Sequence, residues 1–262
     1  MGLSIPVFKV DAFASRPFTG NSAAVCPLRD WLPDHLLQSI AEENNLAATA
    51  FLVPDGDSGY GLRWFTPKVE IELCGHATLA SAYVILTQFA PSESKVRFKT
   101  KSGELSVTRE GDLFSMDFPA RPPEACTPDP NLLPALGCQP ETILAARDYL
   151  VVYSSEDQVR ALRPNMELLT KVDRFAVIVT APGKEADFVS RFFAPAKGIP
   201  EDPVTGSAHC TLIPYWAKRL GRSKLRATQV SPRTGQLWCE DRGSRVTIAG
   251  KAVRYLEGMI HL

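Results

Sequence analysis

Two short segments of the sequence combine residue types that move protons. Cys74 and His76 lie in the first segment, and Asp202, Ser207 and His209 lie in the second. A thiol, an imidazole and a carboxylate can each take or give a proton, and groups on either side of a carbon allow proton transfer on both faces. The residue types therefore predict acid–base chemistry on a small molecule held between the two segments.

Each segment leads into an apolar stretch that is predicted to form a buried helix. His76–Phe89 is apolar almost all round, which is typical of a helix buried on every side. Its counterpart, Ser207–Leu220, ends with two basic residues and a following glycine, a common helix stop. Pro214 inside the second stretch predicts a kink or a late helix start. The N–H groups at two such helix starts, near Gly75 and Gly206, would bind a carboxylate.

Each candidate side chain also has a structural interpretation. Cys74 would serve as a small buried hydrophobic residue, and His76 as a core histidine. Asp202 would suit a turn before Pro203, and Ser207 would suit a helix cap. These structural roles stay open beside the catalytic ones.

A metal site on the same residues is the next alternative. The two segments together contain two cysteines and two histidines, nominally a Cys2His2 ligand set: Cys74, His76, His209 and Cys210. Because His209 and Cys210 are adjacent, their side chains would diverge by about 100° on a helix, whereas zinc ligands are usually spaced further apart. The sequence also contains no Walker loop, no dinucleotide-binding glycine motif and no nucleophile elbow. We therefore expect neither a metal nor a cofactor.

An internal repeat relates the two halves of the chain at an offset of about 130 residues. Its ordered matches are Pro33 with Pro164, Arg63–Pro67 with Arg191–Pro195, Gly75–Ala77 with Gly206–Ala208, Lys101–Leu105 with Arg233–Leu237, and Glu110–Asp112 with Arg242–Ser244. Such periodicity predicts a duplicated domain. If the halves pack face to face, Cys74 and Asp202 would lie on opposite sides of one cleft.

Each half is predicted to be an α+β domain in which a curved, mostly antiparallel sheet wraps a central helix. Pro33 and Pro164 are each expected to open a helix. β-Branched runs at 50–53 and 176–180 predict strands, and alternating segments after each buried helix predict hairpins. We expect the halves to cover residues 1–119 and 141–262, with termini that can cross into the other domain. The Pro-rich segment 120–140 is expected to be an extended linker.

Composition and charge limit the classes of function. The chain has 262 residues, of which 29 are basic and 29 acidic, with no concentrated basic run. Nucleic acids and anionic membranes need a concentrated positive surface, so neither is an expected partner. The first residues lack a signal-peptide pattern, no apolar stretch is long enough to span a bilayer, and the six scattered cysteines indicate reduced thiols. We expect a soluble cytoplasmic protein.

Three motifs resemble the phenazine biosynthesis-like (PhzF-like) family, which shares the diaminopimelate-epimerase fold. They are Val10-Asp11-Ala12-Phe13 with Gly20-Asn21, Cys74-Gly75-His76-Ala77-Thr78, and Glu201-Asp202-Pro203-Val204-Thr205-Gly206-Ser207-Ala208. The resemblance implies two pseudo-symmetric domains, a cofactor-independent isomerase or epimerase site between them, a small carboxylate-bearing substrate and often a homodimer. It also implies catalytic roles for His76, Asp202 and Ser207, and substrate binding by Asn21, Gly75, Ala77, Gly206, Ala208 and His209.

The chain departs from the family at one catalytic position. The family usually carries a glutamate, its general acid/base, in a Leu-Ser-Glu-Thr-x-Phe stretch, but the matching stretch Leu46–Phe51 has Ala48 at that position. Cys74 is the natural alternative, because relatives of this fold place a catalytic cysteine near this helix start and a helix N-terminus favours the thiolate. The alternative function is a catalytically silent ligand-binding or protein-interaction member of the same fold.

Overall fold

The structure is a computed structural model that describes residues 2–56 and 59–262. The elements of the first part of the chain are β1 (Ser4–Ala12), β2 (Asn21–Pro27), α1 (Asp34–Asn44), β3 (Ala48–Asp55), β4 (Gly59–Phe65), β5 (Glu70–Ile71), α2 (Gly75–Val84), β6 (Lys95–Thr100), β7 (Gly103–Glu110) and β8 (Leu113–Pro119). Those of the second part are β9 (Glu124–Ala125), α3 (Leu132–Leu136), β10 (Thr142–Ala145), β11 (Tyr149–Val152), α4 (Glu156–Ala161), α5 (Met166–Leu169), β12 (Val177–Pro182), β13 (Phe188–Phe193), α6 (His209–Leu220), β14 (Lys224–Gln229), β15 (Gly235–Asp241), β16 (Arg245–Gly250) and β17 (Ala252–His261).

The chain divides into two compact units. The first comprises the described residues up to Asp117 together with Ala249–Leu262, so strand β17 at the end of the chain belongs to it. The second comprises Phe118–Ile248. No helix among the described residues is both long and apolar enough to cross a membrane.

The two units pair their strands in the same order. In the first unit, the strands are paired in the order β17-β1-β2-β3-β4-β6-β7. The pairs β2–β3 and β4–β6 are parallel, and the other four pairs are antiparallel. In the second unit, β9-β10-β11-β12-β13-β14-β15 repeats that series. The matched glycines of the repeat also share a conformation, since Gly111 and Gly243 both have a positive φ. The sheet-rich α+β architecture that the sequence predicts is therefore present in each half.

Helix α2 is the central helix of the first unit and packs against β1, β2 and β3. All of its residues are buried except Gly75 and Tyr83. Its buried hydroxyls avoid a desolvation cost by bonding to carbonyls one turn back, from Thr78 to Cys74 (2.7 Å) and from Ser81 to Ala77 (2.7 Å). The α-helix ends at Val84 and a π-helical turn continues it through Phe89, the predicted limit.

Helix α6 is the corresponding helix of the second unit and packs against β14 and β15. It starts at His209, just after the predicted Ser207, because a short 3₁₀ turn over Gly206–Ala208 precedes it, and Pro214 still lies inside the helix. Pro214 lacks the N–H that would bond to the carbonyl of Cys210 one turn back. The backbone N–H of Arg121 donates to that carbonyl instead, at 2.8 Å. A neighbouring segment thus satisfies the acceptor that the proline leaves.

The prediction of an extended structure is wrong for the Pro-rich segment 120–140. It was expected to be extended, but it contains the short helix α3. Pro134 lies in the first turn of this helix, where its missing N–H has no intrahelical partner to lose. An Asp129 carboxylate accepts from the backbone of Asn131 just before the helix, and Gly137 ends the helix in the left-handed conformation. Local turn chemistry therefore outweighs the proline content.

Candidate active site

The first candidate segment places a thiol against an imidazole. Cys74 is the extended residue before α2, with φ −144° and ψ 99°, and its Sγ lies 3.5 Å from Nδ1 of His76. Both side chains are buried, at 7% and 9% exposure. Because α2 begins between these two residues, both lie where the unpaired N–H groups of the helix favour negative charge.

Burial controls the charge of His76. It lowers the pKa of His76 from 6.5 to about 4, so the imidazole is neutral at neutral pH. A neutral imidazole carries one N–H donor and one nitrogen acceptor, so it can form a hydrogen bond with the thiol. The thiol of Cys26, in β2, is also buried, and burial raises its pKa to about 12. The first segment therefore holds a thiol in contact with a neutral imidazole.

The second candidate segment is a loop held by one buried glutamine. The side-chain Nε2 of Gln229 donates to the backbone O of Asp202 at 2.7 Å, and its Oε1 accepts from the backbone N of Thr205 at 2.9 Å. The hydroxyl of Thr205 donates to Oδ2 of Asp202 at 2.6 Å. On the other side, the N–H of Asp202 donates to the carbonyl of Phe192 at 3.0 Å. The backbone of Asp202 is thus fixed through both its N–H and its C=O.

The residues after this loop enter α6. Gly206, Ser207 and Ala208 form the 3₁₀ turn, with Gly206 and Ala208 buried and Ser207 partly exposed. His209 is wholly buried, its Nδ1 lies 2.9 Å from the carbonyl O of Thr205, and its ring lies beside Phe188. Because a carbonyl only accepts, Nδ1 must carry the proton. His209 supports the loop from the core in this structure, and its role in substrate binding stays a prediction.

The same ion pair precedes both candidate segments. Arg191 on β13 bonds to both carboxylate oxygens of Glu201, at 2.7 and 3.0 Å. Arg63 on β4 does the same with Glu70, at 2.8 Å for each bond. The two arginines are counterparts in the repeat, and each glutamate stands five residues before the glycine that opens the following helix. Planar two-point pairing of this kind fixes orientation as well as distance.

The Val10–Phe13 motif shapes the segment that carries Asn21. Asp11 is buried, and its carboxylate accepts from the hydroxyl of Ser22 and from the N–H of Phe18. Gly20 has φ +69°, and a Cβ there would lie 2.2 Å from the carbonyl O of Ala12. Asn21 begins β2 and is fully buried.

Ala48 stands at the family's glutamate position as the first residue of β3. It is fully buried and pairs with Ala23 in the parallel ladder between β2 and β3. Its methyl group cannot transfer a proton. Any acid–base chemistry in the first unit must therefore use other side chains, and the Cys74–His76 pair supplies two.

The donor set does not form a metal site within the part of the chain that the structure describes. No group of three or more His, Cys, Asp or Glu side chains there is arranged to hold an ion. Cys74 and His76 belong to the first unit, while Asp202, Ser207 and His209 belong to the second. Whether the two segments share one ligand stays a prediction.

Sequence reasoning missed the residues that hold the second segment. Gln229 comes 24 residues after Thr205 on a later strand, and no local pattern marks it. The arginine–glutamate pairs did leave a signal. Both arginines lie in a matched motif of the repeat, and the equal spacing from glutamate to glycine is visible in the sequence.

Comparisons with known proteins agree with these motifs over the whole chain. The sequence model of the phenazine biosynthesis-like protein family matches residues 10–258. An "uncharacterized isomerase" of Pseudomonas aeruginosa is 53% identical over 261 residues, covering 99% of this chain and 100% of that protein. The crystal structure of a PhzF-family protein from Enterococcus faecalis superposes with a TM-score of 0.97 at 46% identity, covering 99% of this chain and 100% of the other. The chain belongs to the phenazine biosynthesis-like (PhzF) family.

More distant structures share the fold alone. A hydroxyproline epimerase from Agrobacterium vitis, solved with trans-4-hydroxy-L-proline, aligns with a TM-score of 0.60 at 11% identity, over 99% of this chain and 93% of the other. The prediction of an epimerase-like α+β fold is therefore confirmed.

Proposed function

We propose that the chain is a cofactor-independent isomerase or epimerase that moves a proton on a small carboxylate-bearing substrate. In this proposal, the two candidate segments act on the same substrate. The observation that carries it is the rigid presentation of Asp202. The backbone of Asp202 is fixed by Gln229 and Phe192, and its Oδ2 is bound by Thr205. A carboxylate held in one orientation is suited to proton transfer at one position of a bound substrate.

Substrate binding would use the starts of the two buried helices. Each start leaves N–H groups without intrahelical partners and carries a partial positive charge. A substrate carboxylate can accept hydrogen bonds from the backbone near Gly75 and near Gly206. Such bonds also stabilise the negative charge that develops when a proton leaves the neighbouring carbon.

The reaction follows from this placement. One group removes a proton from the carbon beside the carboxylate, and the electron pair left by the C–H bond is delocalised into the carboxylate. A second group then donates a proton, either to the opposite face of the same carbon or to a carbon further along a conjugated system. The first outcome inverts the stereocentre and the second shifts a double bond. Asp202 and the Cys74–His76 pair would be the two groups.

Ala48 favours a second candidate function. A family member without its usual glutamate could bind the ligand and leave it unchanged, or act as a protein-interaction partner. The two functions differ in one observable, because only an enzyme exchanges the substrate proton with solvent.

The test is deuterium uptake from D₂O, followed by mass spectrometry and proton NMR. The panel contains amino acids, including trans-4-hydroxy-L-proline, together with cyclohexadiene-type acids and small dicarboxylates. The proposal expects at least one compound to gain deuterium at the carbon beside its carboxylate, or at a conjugated carbon. A panel member that binds, as seen by calorimetry, but shows no exchange would support the silent function instead.

A further inference from the structure

We propose that Thr205, held in place by Gln229, is a positioning residue that orients the carboxylate of Asp202. This inference rests on the proposed role of Asp202 in proton transfer. Thr205 lies inside the motif of the second segment, three residues after Asp202, but neither its residue type nor the motif assigns it a role.

The geometry supports an orienting role over a packing role. Thr205 is 7% exposed, and its hydroxyl donates to Oδ2 of Asp202 at 2.6 Å. A hydroxyl has one proton to donate, so this bond commits it to the carboxylate. Its oxygen accepts from Nε2 of Gln229 at 3.3 Å, which sets the direction of the donated proton.

Gln229 is the fixed point of this network. Its side chain is fully buried on β14, where the backbone is paired with both β13 and β15. The same amide group contacts the backbone of Asp202 and the backbone and hydroxyl of Thr205. A buried amide with satisfied donors and acceptors has one stable orientation. The orientation of Asp202 is therefore set by a strand of the sheet and does not depend on the loop alone.

The predicted consequence is a loss of rate without a loss of binding. Thr205→Val has nearly the same shape but cannot donate to Asp202, so the carboxylate loses the bond that fixes the position of its Oδ2. A misplaced catalytic group costs roughly 10- to 100-fold in rate. We expect kcat to fall by that factor while KM changes by less than about 2-fold, because the ligand contacts are kept. Thr205→Ser retains the hydroxyl and should restore most of kcat.

The experiment combines kinetics with structure determination. Exchange kinetics and crystal structures are obtained for the wild type, Thr205→Val, Thr205→Ser and the control Thr228→Val, which makes the same change on the opposite face of β14. Thr205→Ala replaces Thr205→Val if the valine variant does not fold. The proposal expects Asp202 to change rotamer or become disordered in Thr205→Val only.

The outcomes separate this inference from the proposed function. If the wild type exchanges no compound, the function fails, and the rotamer of Asp202 in Thr205→Val still tests the positioning role. An Asp202 side chain that keeps its wild-type orientation in Thr205→Val would overturn the inference. So would a kcat for Thr205→Val equal to that of Thr205→Ser.

Discussion

Arg191 holds both carboxylate oxygens of Glu201, the residue directly before Asp202. Nε and Nη2 of Arg191 donate to Glu201. Its third nitrogen, Nη1, donates to the carbonyls of Val159 (3.0 Å) and Leu162 (2.9 Å). The ion pair therefore connects the loop that contains Asp202 to the end of α4. The arginine side chain is 9% exposed and that of the glutamate 17%. Removing one partner of such a pair leaves a poorly solvated charge.

Glu201→Gln should therefore destabilise the protein by about 3 kcal/mol, because the buried guanidinium loses its counter-charge. Urea unfolding measures the change. Glu167→Gln is the matched control, because the Glu167–Lys171 pair is exposed and its loss should cost less than about 1 kcal/mol. Equal effects of the two substitutions would show that the Arg191–Glu201 pair does not fix the loop.

Stability should depend on pH through two buried histidines. Burial lowers the pKa of His76 and of His209 from 6.5 to about 4. Between these values the unfolded chain binds more protons than the folded chain. The contribution of the two histidines to the free energy of unfolding is therefore fully present above pH 6.5 and is lost as the pH falls toward 4. The loss should be roughly 3 kcal/mol per histidine.

Urea unfolding at several pH values across this window tests the assignment. His209→Gln should reduce the pH dependence by roughly half, since glutamine does not titrate and His76 remains. His35→Gln makes the same change at an exposed position on α1 and is the control. An unchanged pH dependence in His209→Gln would contradict the burial argument.

The pattern of secondary structure was largely readable from the sequence, because local rules and the repeat agree. Proline-led helices, β-branched strands and glycine turns recur in both halves, and α1 begins directly after Pro33 as expected. The helix at Pro134 was not predicted, since proline content alone gives no information on the cap residues around it. Gln229 could not be predicted, because its role arises only when β14 packs beside β13.

The matched motifs also located the candidate side chains, but the sequence could not rank them. His76 lies beside Cys74 and His209 lies against Phe188, two different surroundings that the motifs do not show. That distinction depends on tertiary packing.

Ala48→Glu tests the position at which the chain departs from its family. If a glutamate there can act as general acid/base, turnover should rise by a factor of about 10² to 10⁴. Ala47→Glu is the control, because Ala47 is the exposed neighbour of the buried Ala48. An unchanged rate in a folded Ala48→Glu variant, on a compound that the wild type processes, would refute the assignment of this position.

Cys74→Ser tests whether the thiol replaces the missing glutamate. A serine hydroxyl is a far weaker acid than a thiol, so we expect proton exchange to fall by about 10²-fold or more. Cys26→Ser makes the same change at a buried thiol in β2 and should leave the exchange rate unaltered. If Cys74→Ser exchanges at the wild-type rate, the thiol serves packing only.

The central claim is that Asp202 transfers a proton, and Asp202→Asn tests it most directly. The amide keeps the shape of the carboxylate but cannot act as a base, and this partly exposed side chain contributes little to the core. The control Asp157→Asn makes the same change at an exposed site on α4. Deuterium exchange on a processed compound should disappear in Asp202→Asn, with a melting temperature close to that of the wild type, and persist in Asp157→Asn. Exchange at the wild-type rate in a folded Asp202→Asn variant would contradict the account.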